Sequence, residues 1–292
     1  MTKIIGLVGV IVMTIGGFFV AGGKMKVLTG VMLPAMPGEM MIIFGVAIAA
    51  FLIANTSHTV KSTLSYLGKI TNPQAHSKED YLELLSMLYV VFKTARTKGW
   101  LALESHIEAP DNSELFQNFP KFSGNHHALV MLCDYLRIIS LGNDKPHEIE
   151  ALFDQELETI AEEKGHPGHA VQTMADGIPA LGIVAAVLGV IKTMASISEP
   201  PEVLGKLIGS ALVGTFLGVW LAYGFVGPLA GAITSRTDSE VKYYKVIKTA
   251  IVAFLGGAAP QVAVEFARKT LEHEVQPSFL EVEEATNNAP AI

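Results

Sequence analysis

The chain has 292 residues, half of them hydrophobic and only 17% charged, with a mean hydropathy of +0.40. Soluble domains carry roughly 25% charged residues, so this composition points to a membrane protein. A net charge of −7 leaves no basic footprint for nucleic acid, and the one cysteine, Cys133, excludes an internal disulfide or a cysteine-built metal site.

Four membrane spans are predicted. The first runs from about Ile4 to Ala21. Its uncharged stretch is longer than the apolar part of a cleavable signal and no A-x-A site closes it, so it reads as a retained span. The second covers about Glu39 to Ala54, with an apolar approach from Val27 that includes Pro34 and Pro37. The third is AVQTMADGIPALGIVAAVLGVIKT, Ala170 to Thr193, and the fourth lies within Leu207 to Ser235. Pro200 and Pro201 sit in the short turn between the last two. Ten Lys and Arg residues fall between spans two and three and six follow span four, against four in the short turns when Lys192 and Lys206 are counted with them. That bias places both termini and the long middle segment in the cytoplasm, with Lys24 and Lys26 as a mild counter-signal.

Residues 57–168 read as helical. Ser77 and Asp80 form a capping pair ahead of a helix with Leu82, Leu85, Tyr89 and Phe92 at helical spacing, and Gly99 ends it. A second helix, about Trp100 to Glu108, stops before Pro110. A third, His127 to Leu141, holds Cys133 as a buried core thiol. Asp144 is placed to cap a fourth, with Pro146 just inside it. After span four the helix continues into the tail. The uncharged run Thr249 to Val264 is too short and too interrupted for a fifth span, and is expected to pack on the cytoplasmic domain or lie along the membrane surface. The fold class is therefore an all-α integral membrane protein with four transmembrane helices. Its divisions are 1–56, spans one and two; 57–168, the helical cytoplasmic domain; 169–231, spans three and four; and 232–292, a helical cytoplasmic tail.

No enzyme constellation emerges. His126 and His127 are adjacent, which suits no shared metal, and His166 and His169 flank Pro167 in an expected loop. Phosphate-cradling glycine loops, nucleophile elbows and HExxH are absent. What remains is span three with span four. Ala175, Pro179, Gly182, Ala186, Gly189 and Thr193 form a small-residue stripe that lets another helix approach closely. Span four repeats the theme, with Gly205 and Gly209, then Gly214 and Gly218, four apart, and with Ala211, Thr215, Gly218 and Ala222 on one face. Packing alone accounts for most of the glycines, and a membrane threonine such as Thr215 often satisfies its own i−4 carbonyl. Pro179, however, frees the carbonyl of Ala175, and Asp176 lies about one turn away. A freed carbonyl beside a carboxylate in a span suggests a hydrated pocket, as in a channel, a transporter half or a helix lining a partner's proton path.

MADGIPALGIVAAVLGVIKTM, LVGTFLGVWLAYGFVGPLA and APQVAVEFARKTL, in that order and with this layout of spans, resemble the motility protein A family, the ring-forming subunit of bacterial flagellar stators. The resemblance implies that Pro179 and Pro228 are needed for motion and that Thr215 lines the ion route. Where sodium-driven relatives carry a threonine this chain has Ala186, which favours H⁺ over Na⁺ as the transported ion, with no cofactor. Arg96 and Glu104 match the family's rotor-facing charges; from the residues alone they read as solvated positions near a helix end, where Arg96 complements the macrodipole. The implied partners are a MotB-like chain bearing the ion-binding aspartate, the rotor protein FliG, membrane lipid, and copies of this chain as a pentamer around a MotB dimer. The implied location is the bacterial inner membrane. An energiser of the ExbB/TolQ kind is the alternative, although such relatives usually have three spans. An independent channel or transporter is a third reading.

Overall fold

In the computed structural model, which describes residues 2–70 and 74–290, helices are the only regular elements among the described residues. Four are long and apolar enough to cross a membrane: α1, Thr2–Val20; α2, Met25–Ala54; α6, Pro146–Met194; and α7, Pro201–Leu255. Between α2 and α6 come α3 (Ser57–Leu67), α4 (Lys78–Lys98), several short turns of helix, and α5 (His126–Ser140). After α7 follow α8 (Pro260–Lys269) and α9 (Phe279–Asn287). Two compact units result. One takes in Met1–Pro73 and Gly165–Arg236; the other takes in Gln74–Lys164 and Thr237–Ile292.

The first unit holds the spans. Its interior is a thin seam of Ile43 and Ala47 from α2, Val171, Ala175, Ile178 and Ala185 from α6, and Val213, Leu217 and Ala222 from α7. No residue of α1 is buried; it is fastened where Trp220 Nε1 donates to Thr14 Oγ1 at 2.9 Å. Large apolar side chains turn outward, Ile53 at 88% and Met41 at 80% exposure, an arrangement that suits a hydrocarbon surrounding and not water.

The second unit is organised around α4, which buries Tyr81, Leu84, Leu85, Leu88, Val91 and Phe92. Ser77 and Asp80 form the reciprocal capping box expected of them, and Gly99, at φ 80°, ends the helix. Aromatic rings fill the remaining core: Phe92 stacks on Phe254 at 4.5 Å between centroids, and Tyr135 on Phe153. Cys133 is buried there, and burial pushes its thiol up to about 12. Of the uncharged run after residue 249, Ala250, Ile251, Ala263 and Val264 belong to this core, so it is packed within the unit and does not span.

Three local expectations are corrected. The second span begins at Met25, not Glu39, so Glu39 lies in mid-helix. Leu28–Met32 forms a wide π turn that ends two residues before Pro34, and Ala222–Val226 does the same before Pro228. Proline has no N–H to close the normal bond and its ring crowds the carbonyl four residues back; widening the turn keeps the helix continuous. Residues 166–169 are helical and not a loop, with Pro167 inside α6. Gly168 gives Thr234 room there, since a methyl on Gly168 would lie 2.5 Å from Thr234 Oγ1. Finally, the Lys145 carbonyl accepts the first bonds of α6, one residue beyond the expected cap Asp144.

Candidate functional site

The small-residue stripes of α6 and α7 meet in antiparallel register. A methyl on Gly182 would lie 2.8 Å from Gly218 Cα, and one on Gly189 would lie 2.8 Å from Ala211 Cβ. Gly214 faces back toward Ala185 and the Ala186 nitrogen. Helices approach this closely only where the facing backbones carry almost no side chain. These glycines are therefore occupied in joining two spans of one chain. A wall facing outward has to be made by their neighbours.

Pro179, Ala186 and Thr215 are such neighbours, each part-buried. Thr215 differs from several other hydroxyls in the spans. Thr14, Thr193 and Ser210 bond back to the carbonyls of Val10, Gly189 and Leu207. The Thr215 hydroxyl has no partner among the described residues, so the self-satisfied arrangement that a membrane threonine often adopts is not present here. It is available to water or an ion. Pro179 lies inside α6 and deprives the carbonyl of the buried Ala175 of its amide. Asp176 is exposed and accepts a hydrogen bond from Gln172 Nε2 at 2.8 Å. Pro228 is exposed on α7, just past its π turn.

Glu39 was not among the residues the sequence singled out. Its Oε2 is buried without a hydrogen-bond partner among the described residues, and a methyl on Gly214 would lie 2.5 Å from it. A carboxylate thus reaches from α2 to the seam between α6 and α7 at Gly214, the residue before Thr215. The signal was present as one acid inside a long apolar run. Treating it as the edge of the span concealed it.

The two charges of the other unit lie on either side of the Gly99 turn. Arg96 is exposed, and its Nη1 donates to the carbonyls of Ala258 at 3.1 Å and Gly257 at 3.5 Å, bracing the turn after α7. Glu104 is exposed at the start of a short helix, near Leu101, which is 77% exposed. Among the described residues no three His, Cys, Asp or Glu side chains gather as a metal site.

Four helices long and apolar enough to span, two of them joined at glycine, with an unpartnered hydroxyl and a proline-interrupted carbonyl beside the seam, define a helical membrane protein. Comparison with known proteins agrees. The description "motility protein A N-terminal" matches residues 4–99, and that of the MotA/TolQ/ExbB proton channel family matches residues 128–246. Motility protein A of Salmonella typhimurium is 38% identical over 97% of this chain and 94% of its own length, and that of Escherichia coli K12 gives the same figures. The chemotaxis protein LafT of Vibrio parahaemolyticus is 32% identical over 97% of each chain. Among solved structures, the flagellar MotAB stator complex of Bacillus subtilis shares the fold with a TM-score of 0.67 at 24% identity, covering 94% of this chain and 98% of that one. The chain belongs to the motility protein A family, and as a member of a proton channel family it is not an enzyme.

Proposed function

We propose that this chain is the ring-forming stator subunit of a bacterial flagellar motor, held in the inner membrane with both termini in the cytoplasm. The observation that carries the reading is 38% identity to motility protein A along nearly the whole chain. The match of the motility-specific N-terminal description to residues 4–99 favours it over an ExbB/TolQ-like energiser.

Copies of the chain, as a pentamer, surround a dimer of a MotB-like partner whose transmembrane aspartate binds the ion. Thr215, with its free hydroxyl, and the carbonyl released by Pro179 offer polar stations along an otherwise apolar wall, and Asp176 stands ready to take part at one end. Ala186 supplies no hydroxyl where a sodium shell would need replacing, which suits a proton. The membrane potential supplies about 2.3 kcal/mol per charge at 100 mV, enough for a modest step per ion. Neutralising the partner's aspartate lets the ring move relative to it, with Pro179 and Pro228 as the points where α6 and α7 yield. Arg96 and Glu104, both exposed, are the surface that pushes on FliG.

Deleting the gene and complementing it tests the whole. Swimming is expected to be lost, to return with the wild-type chain, to collapse with a protonophore and to ignore external Na⁺. Pro179→Ala should reach the membrane normally and leave cells paralysed. Normal swimming without the chain, and with no second stator set, defeats the stator reading; speed that tracks Na⁺ defeats the proton reading alone.

A further inference from the structure

The first unit contains a cleft of about 730 Å³ between α1, the far part of α7 and the end of α3. Leu7 and Val10 line it from α1, Phe225 and Leu229 from α7, and Leu67 from α3. This volume falls in the range of pockets that enclose a small ligand, roughly 300–1,000 Å³. Its walls are apolar except near Lys3 and Ser235, and no carboxylate lines it.

Lys3 is the anomaly. Its Nζ is buried and has no hydrogen-bond partner among the described residues. The other charge acting on it is a second cation, Arg236. A buried ammonium is costly unless paired, and a like charge beside it raises that cost. The walls also keep space clear: a methyl on Gly6 or Gly231, both lining residues, would meet nothing within 4 Å. A cationic mouth on an apolar slot between transmembrane helices matches an anionic headgroup with an acyl chain behind it.

We propose that this cleft is a binding site for one anionic phospholipid, its phosphate held by Lys3 with Arg236 nearby and its acyl chain lying between α1 and α7. The site concerns the membrane unit alone and does not rest on the torque-generating reading. Its occupant adds no step to ion transfer. It supplies a counter-charge to Lys3, whose Nζ has no hydrogen-bond partner among the described residues, and closes the gap beside Pro228, so the packing of α1 on α7 depends on the lipid present.

The test uses the complete complex of this chain with its B partner, reconstituted in nanodiscs of phosphatidylglycerol or phosphatidylcholine, then extracted in detergent and weighed by native mass spectrometry. Phosphatidylglycerol should be retained at least tenfold more than phosphatidylcholine. Lys3→Gln should abolish that preference and Lys3→Arg should keep it. Gly231→Leu, whose Cβ meets nothing within 4 Å, should cut retention of phosphatidylglycerol about tenfold in a folded complex. Equal retention of the two lipids by the wild type overturns the proposal. So does undiminished phosphatidylglycerol in Lys3→Gln or Gly231→Leu, or a neighbouring copy's side chains filling the cleft in the complex.

Discussion

The two units are held together by opposite means. In the second, large side chains fill the space between helices: Tyr81, Phe92, Phe116, Phe122 and Phe153 are almost fully buried. In the membrane unit the decisive contact is made where side chains are missing, at Gly182 with Gly218 and Gly189 with Ala211. Water drives the first arrangement by expelling apolar surface. Within hydrocarbon that drive disappears, and close van der Waals contact between backbones takes its place. Each unit is thus sensitive to the change the other tolerates.

Substitution by the same residue, alanine, exposes the contrast most sharply. Phe92→Ala empties the centre of the second unit and is expected to cost about 3–5 kcal/mol there; pulse proteolysis in urea measures it. Wild-type resistance would mean that the Phe92–Phe254 stack is not central to that core. Gly218→Ala instead adds one carbon where Gly182 Cα leaves none, at a cost of about 1–3 kcal/mol by overpacking. Its readout is the amount of complex surviving a detergent-temperature ramp. An unchanged yield would show that α6 and α7 part readily at this point.

Smaller effects separate the seam from its neighbours. Thr215→Val preserves shape and removes a hydroxyl without a protein partner, so assembly should be unchanged while proton flux through an open complex falls several-fold. Thr215→Ser should restore most of it. Equal flux in Thr215→Val would assign the threonine to packing. The smallest effect concerns pH in the second unit. Lys78, 2.7 Å away, together with the Ser278 amide, holds the part-buried Glu281 carboxyl down at about 2, against an ordinary 4.5. A depressed acid stabilises the fold above its ordinary pKa and loses that contribution as pH falls toward its folded value. Hydrogen-exchange protection in Phe279–Asn287, taken relative to the intrinsic rate at each pH, should therefore fall from about pH 4.5 down to 2, and Glu281→Gln should flatten the dependence.

Much of this was legible in the sequence because it depended on local pattern. The capping box at Ser77, the stop at Gly99 and the stripe through Gly182 and Gly189 are near-neighbour signals that the structure repeats. The start of α2 was not legible. Pro34 and Pro37 looked like an interruption, and the remedy, a wide turn upstream, leaves no mark in composition. Pro167 misled in the same way, because α6 runs through it unbroken. Glu39 and Lys3 stand out only once tertiary packing shows what surrounds them. Their identity was plain, but their lack of partners was not. The bonds of Arg96 to Gly257 and Ala258 are hidden in the same way, since nothing near residue 96 in the chain announces them.

The burial of Cys133 carries a practical consequence. A thiol shielded in the core, with its pKa pushed up to about 12, presents almost no thiolate at neutral pH. The natural chain is thus already a silent background for maleimide chemistry, and a cysteine introduced at Thr215, Leu101 or Gly231 would report its own surroundings without interference.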